Sequence, residues 1–260
     1  MKRLMQFEFY KLIRQKSFYI CTIILLASAV LSMVATKVLT DALGEQYATS
    51  PATAVLSRVD DTFTMLCGIF VALLVCGDFS QQTIKNVYAR GFSKSQMYCA
   101  KFAAALFGAF TMFLLNYAVS FLFGVILFGG IEVDGKMAYD MAAQLCAVFA
   151  FTAFAFMVSF IFRKTGAGVA LAILGPTIVN IVLMLVSMIA RVERSFSEYW
   201  ISGILTKLSG ASADNLTEIT DTLADGTLTY SDITLCLVLS LVYTAVFLFI
   251  GYYVNKKKDG

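Results

Sequence analysis

The chain has 260 residues, 59% of them hydrophobic and only 14% charged, with 20 Lys+Arg, 17 Asp+Glu, no histidine and a formal net charge of +3. Soluble domains carry about 25% charged residues, so this is the composition of a membrane protein. The missing histidine excludes Ser-His nucleophilic catalysis, His-ligated metals and imidazole proton relays. No GxxxxGK[ST] run occurs to cradle a nucleotide, and the sparse charge does not make a nucleic-acid surface.

Residues 1–16 place Met5, Phe9, Leu12 and Ile13 at helical spacing, with Arg3, Glu8, Lys11 and Arg14 gathered on the other side. This predicts an amphipathic helix. Beside a membrane span such a helix either lies on the lipid surface, drawn by anionic headgroups, or forms part of a docking surface for a cytoplasmic partner.

Crossing ~30 Å of hydrocarbon at 1.5 Å per residue takes about 20 residues. Six stretches, free of charge except at their terminal residues, predict spans at about 17–37, 62–78, 101–131, 140–162, 165–190 and 232–255. The first is longer than the ~7–15 apolar residues of a cleavable signal and is read as a retained span. The second is short, so one end is expected in protein or a water-filled vestibule, which draws notice to Asp60, Asp61 and Asp78.

The side carrying both termini holds fourteen basic and three acidic residues, the opposite side six basic and fourteen acidic. Basic residues accumulate in cytoplasmic loops, so the expectation is a multi-pass protein of the cell membrane with both termini cytoplasmic. The six cysteines lie in spans or at their edges without a CxxC pair, and read as small apolar packing groups.

The loop after the second span is the most informative. Ser80 can cap a short helix in which Ile84, Val87 and Tyr88 share a face, and Gly91 supplies its stop. Ser93 and Gln96 then form an S-x-x-Q capping box that opens the third span. A two-turn helix with an apolar ridge is unstable alone in water. The ridge either packs on neighbouring span ends or seats in a groove of another protein.

Between the fifth and sixth spans, residues 191–231 form an outer segment. Phe196, Tyr199, Trp200, Ile204 and Leu208 recur at helical spacing and predict an interfacial helix with Tyr and Trp at headgroup depth. Leu216, Ile219 and Leu223 mark a second, weaker helix. Inside the spans, Asn116, Gln144 and Asn180 are the strongest polar groups, and Gly175-Pro176 breaks the fifth helix. Such groups serve as packing glue or line a pathway.

The order amphipathic helix, span, outer loop, span, then Asp78-Phe79-x-x-x-Thr83-Ile84-Lys85-Asn86, followed by Arg90-Gly91-Phe92-Ser93 and Lys101, resembles the permease subunits of ABC type-2 exporters. The likeness covers essentially the whole chain in topology and residues 78–101 in motif, with Gln82 where the family often has glycine. It implies one all-α transmembrane permease domain over residues 1–260, in which the 79–93 loop is a coupling helix seated in an ATP-binding subunit. Thr83, Ile84, Lys85, Val87, Tyr88, Arg90, Gly91, Phe92 and Ser93 would make that contact. The N-terminal helix would be the elbow helix, touching the ATPase through Glu8, Lys11 and Arg14. The resemblance further implies short re-entrant helices before the last span, and spans two and five as pathway walls at a dimer interface. Thr64, Cys67, Phe70, Val71, Thr177, Asn180 and Met184 are the candidate lining residues.

No ionisable residue sits inside a span to bind a driving proton or Na⁺, so the energy must come from a partner. The expected protein is therefore the permease subunit of an exporter. It dimerises with a second copy or a paralogue, lies in the lipid bilayer and binds separate ATPase subunits. Those subunits hold ATP and Mg, and this chain has no cofactor, metal or enzymatic activity of its own. A path rich in Phe and Met suits an amphipathic or hydrophobic cargo. An antimicrobial peptide or bacteriocin, in export or immunity, is the leading case because the outer face is acidic. The alternatives are a non-transporting membrane sensor or anchor for an ATPase, and an ion-coupled carrier.

Overall fold

The computed structural model describes residues 2–43, 55, 59–80, 91–129, 135–190, 196–208 and 230–257. In chain order these form α1 (Lys2–Arg14), α2 (Lys16–Leu43), α3 (Asp61–Ser80), α4 (Lys94–Phe128), α5 (Gly135–Phe162) and α6 (Thr165–Ala190). A 3-10 turn (Phe196–Tyr199), α7 (Ile201–Leu208) and α8 (Tyr230–Lys257) complete them. Six helices, α2 to α6 and α8, are long and apolar enough to cross a membrane, and no strand occurs among the described residues. The chain is an all-α integral membrane protein with six transmembrane helices.

Helix ends follow local chemistry. Asp60 accepts the Phe63 backbone N–H at 3.0 Å and so opens α3. At α4 both halves of the capping box form: the Gln96 N–H donates to Ser93 Oγ and the Ser93 N–H to Gln96 Oε1, each at 3.3 Å. The helix therefore begins at Lys94, ahead of the predicted span start at 101, and its 35 residues exceed what the hydrocarbon requires.

The most enclosed helices are α3 and α5. On α5, Ala143, Ala147, Ala150, Ala153 and Ala155 are fully buried, which lets neighbouring backbones approach closely. Around it pack α8, α3, α6, α4 and α7, while α1 lies against α4. Gly108 of α4 receives the Phe70 ring of α3, which would overlap any Cβ placed there. By contrast, α6 shows Ile178, Ile181, Leu185, Met188 and Ile189 outward, as a helix facing hydrocarbon does. Tyr98 donates to the Leu248 carbonyl at 3.2 Å and Ser95 meets Tyr252 at 3.1 Å, so α8 ends beside the start of α4. Lys101 joins the same end to α1 through Glu8 at 3.2 Å, which brings both terminal helices to one end of the bundle.

The helix expected over residues 196–208 is two shorter pieces. The chain bends at Trp200 between the 3-10 turn and α7, and Ile201, Ile204, Leu205 and Leu208 turn inward and are buried. Trp200 packs against the bundle. Its ring meets Phe154, Tyr243 and Phe247 at centroid distances of 6.2, 5.6 and 6.2 Å, and its indole N–H donates to the Pro176 carbonyl at 3.0 Å. Three aromatic rings on α5 and α8 thus hold the indole in edge-on contacts. Gln144 acts as glue, donating to the Leu208 carbonyl at 2.9 Å and accepting from the Tyr117 hydroxyl. Leu216, Ile219 and Leu223 lie outside the described residues.

Candidate functional site: an ionic joint at the end of α3

The short α3 ends in Asp78 and Phe79, and these two side chains diverge. Asp78 is buried and contacts both Lys11 of α1 and Lys101 of α4. Lys101 also reaches the two oxygens of Glu8 at 3.2 and 3.3 Å. Glu8 and Lys101 are each only 1% exposed, so two carboxylates and one ammonium of this tetrad are enclosed, while Lys11 reaches it from a partly exposed position. Isolated charges could not persist there; mutual pairing makes their burial tolerable. Burial foremost, and then the Lys101 charge, push the Lys11 ammonium down to about 8, against the opposing pull of Glu8.

Phe79 turns the other way. Its ring meets Phe160 edge-on at 5.4 Å, and the Arg163 guanidinium lies 5.1 Å from its centroid. Arg163 forms the tight turn between α5 and α6 with φ +54°, a left-handed conformation that costs an L-residue roughly 1–2 kcal/mol. Two consecutive residues thus tie the end of α3 to α1 and α4 on one side and to the α5–α6 turn on the other. The described chain resumes after this joint at Gly91, whose φ of +81° is left-handed.

The predicted coupling residues divide accordingly. Thr83, Ile84, Lys85, Val87, Tyr88 and Arg90 lie outside the described residues. Gly91 is exposed, Phe92 packs partly against the core, and Ser93 spends its hydroxyl on the α4 cap. On α1 the polar face is not where the spacing placed it. Leu4, Glu8 and Leu12 form the buried stripe, whereas Phe7, Tyr10 and Ile13 are exposed. Glu8 and much of Lys11 are therefore committed inward, because Lys101 and Asp78 supply the charges they need. Arg14 alone of the predicted elbow contacts stays exposed, donating to the Tyr10 hydroxyl at 2.8 Å. The tetrad itself was visible only as a hint: Glu8 is the sole acid among residues 1–16, and Asp78 and Lys101 cap opposing span ends.

The predicted pathway residues also separate. Cys67, Phe70 and Val71 are fully buried in the bundle core, Cys67 beside Thr152 at 3.8 Å and Phe70 against Phe18 at 5.4 Å. In the single chain none of the three reaches an open surface. Met184 is 63% exposed on the outward apolar face of α6, and Asn180 is partly buried. Thr64 and Thr177 border a cavity at the bundle end away from the tetrad.

Fold and site together define a six-span helical membrane protein with an ionic joint at the end that gathers its terminal helices. Residues 18–260 match the family described as "Protein of unknown function (DUF2705)", and the chain belongs to that family. No curated protein matches it.

Proposed function

We propose that the protein is the membrane-spanning subunit of a two-component transporter, driven by a separate ATPase that engages residues 79–93 at the cytoplasmic face. The observation that carries this reading is the joint: Asp78 and Phe79 anchor one end of that segment to four helices, and the Ser93 capping box anchors the other. A push on residues 81–90 would be passed to α1, α3, α4 and the α5–α6 turn together. A flexible tether could not pass it on. The resemblance to ABC type-2 exporter permeases and the absence of a nucleotide-cradling motif point the same way. The bundle would work as a pair and move an amphipathic or hydrophobic cargo, with the basic termini end cytoplasmic.

The test is copurification. An ATPase encoded beside this chain is expected to copurify with it, and Ile84→Asp combined with Tyr88→Asp is expected to abolish the association or the coupled ATP hydrolysis. Unchanged association and coupled hydrolysis in that variant would overturn the reading.

A further inference from the structure

At the end of the bundle opposite the tetrad, a cavity of about 410 Å³ lies between the first turn of α3, the middle of α6 at Pro176, where the helix runs on unbroken, α5 and the inward-turned α7. Its size falls within the ~300–1,000 Å³ of small-ligand sites. Phe151, Ile173, Pro176 and Leu205 supply apolar wall. Thr64, Thr177 and Ser202 contribute hydroxyls, and the Ser202 Oγ is enclosed without a hydrogen-bond partner. The charged lining is wholly acidic: Asp60 and Asp61 border the cavity and no Lys or Arg does among the described residues. Asp60 spends one oxygen on the Phe63 N–H, whereas the Asp61 side chain is exposed and its backbone carbonyl holds the Thr64 hydroxyl at 2.9 Å.

We propose that this cavity binds an amphiphile carrying a primary ammonium on an apolar body. The ammonium would lie against Asp61 with the hydroxyls of Thr64 and Thr177 accepting its remaining N–H groups. The apolar body would cover Phe151, Ile173 and Pro176. An anionic ligand would meet two carboxylates with no countercharge among the described residues, and a purely apolar one would strip water from the carboxylates without replacing it. α7 forms part of the wall because Trp200 is latched to Pro176, so the site belongs to the tertiary fold and not to any one helix. As the class of cargo this rests on the transporter reading; as a binding site it does not.

The test uses the full chain in phosphatidylcholine nanodiscs, titrated with the fluorescent primary amine dansylcadaverine and with its N-acetylated, uncharged analogue. Saturable binding of the amine above that of empty nanodiscs is expected, with the acetylated analogue at least tenfold weaker. Asp61→Asn should weaken the amine at least tenfold, and Thr177→Phe, which fills the cavity, should remove saturable binding. Asp41→Asn, which removes an exposed carboxylate paired with Lys37 elsewhere on the chain, should bind as the parent does. Thermal unfolding of each variant separates loss of the site from loss of the fold. Equal binding by all variants, or by both probes, would overturn the proposal. That result would leave the ATPase association standing, and failed copurification would leave the site standing.

Discussion

Lys101 shows how much one residue can carry in a bundle of this kind. Its ammonium is the shared cation of Glu8 and Asp78, so removing it takes a countercharge from two buried carboxylates at once. Breaking a buried pair from one side costs about 3–5 kcal/mol, whereas removing both partners costs far less. Lys101→Met is therefore expected to lower unfolding stability in detergent by that amount, with Glu8→Gln/Lys101→Met recovering part of the loss. Strict additivity in that double-mutant cycle would show that the two groups are not coupled. Trp200 is the chain's only tryptophan, which makes it a direct reporter. Its emission is expected to be blue-shifted and protected from aqueous acrylamide, as suits a ring enclosed by Phe154, Tyr243 and Phe247. Strong quenching would return it to the headgroup region, where its spacing alone had placed it.

At the scale of helices, the contact between α3 and α4 depends on the missing side chain at Gly108. Gly108→Ala gains about 1 kcal/mol of helix propensity and adds a methyl that overlaps the Phe70 ring. Overpacking typically costs 1–3 kcal/mol, so the net effect is expected to be destabilising by up to about 2 kcal/mol in the same unfolding measurement. Ser93→Ala removes the side-chain half of the α4 capping box and is expected to cost about 1 kcal/mol. Because that cap fixes the start of α4 next to the proposed ATPase-binding segment, Ser93→Ala should reduce coupled ATP hydrolysis more than it reduces ATPase copurification. The capping box was legible from two residues because its chemistry is local. The inward turn of α7 was not, since an amphipathic segment of that length satisfies a lipid interface and a bundle crevice with the same spacing.

Across the whole molecule, the net charge of +3 conceals a separation. Fourteen basic and three acidic residues fall on the side of the termini, against six basic and fourteen acidic on the other. Green fluorescent protein fused at either terminus is expected to fluoresce, and alkaline phosphatase fused within residues 209–229 is expected to be active. The reverse pattern would invert the proposed orientation.

The number of spans, their order and the sidedness of charge were determined by the sequence itself, because hydrocarbon thickness imposes a length on each apolar run and charge cannot enter it cheaply. The rotation of each helix was not. In water, a polar face and an apolar face mark which side turns inward; in a bilayer both the core and the solvent are apolar, and that periodicity disappears. Cys67, Phe70 and Val71 could therefore be read as pathway lining until packing against α2 and α5 enclosed them. Glu8 could be read as a surface charge until Lys101 was brought within 3.2 Å of it. Which charges pair, and where a cavity is left open, are decided only when the helices meet.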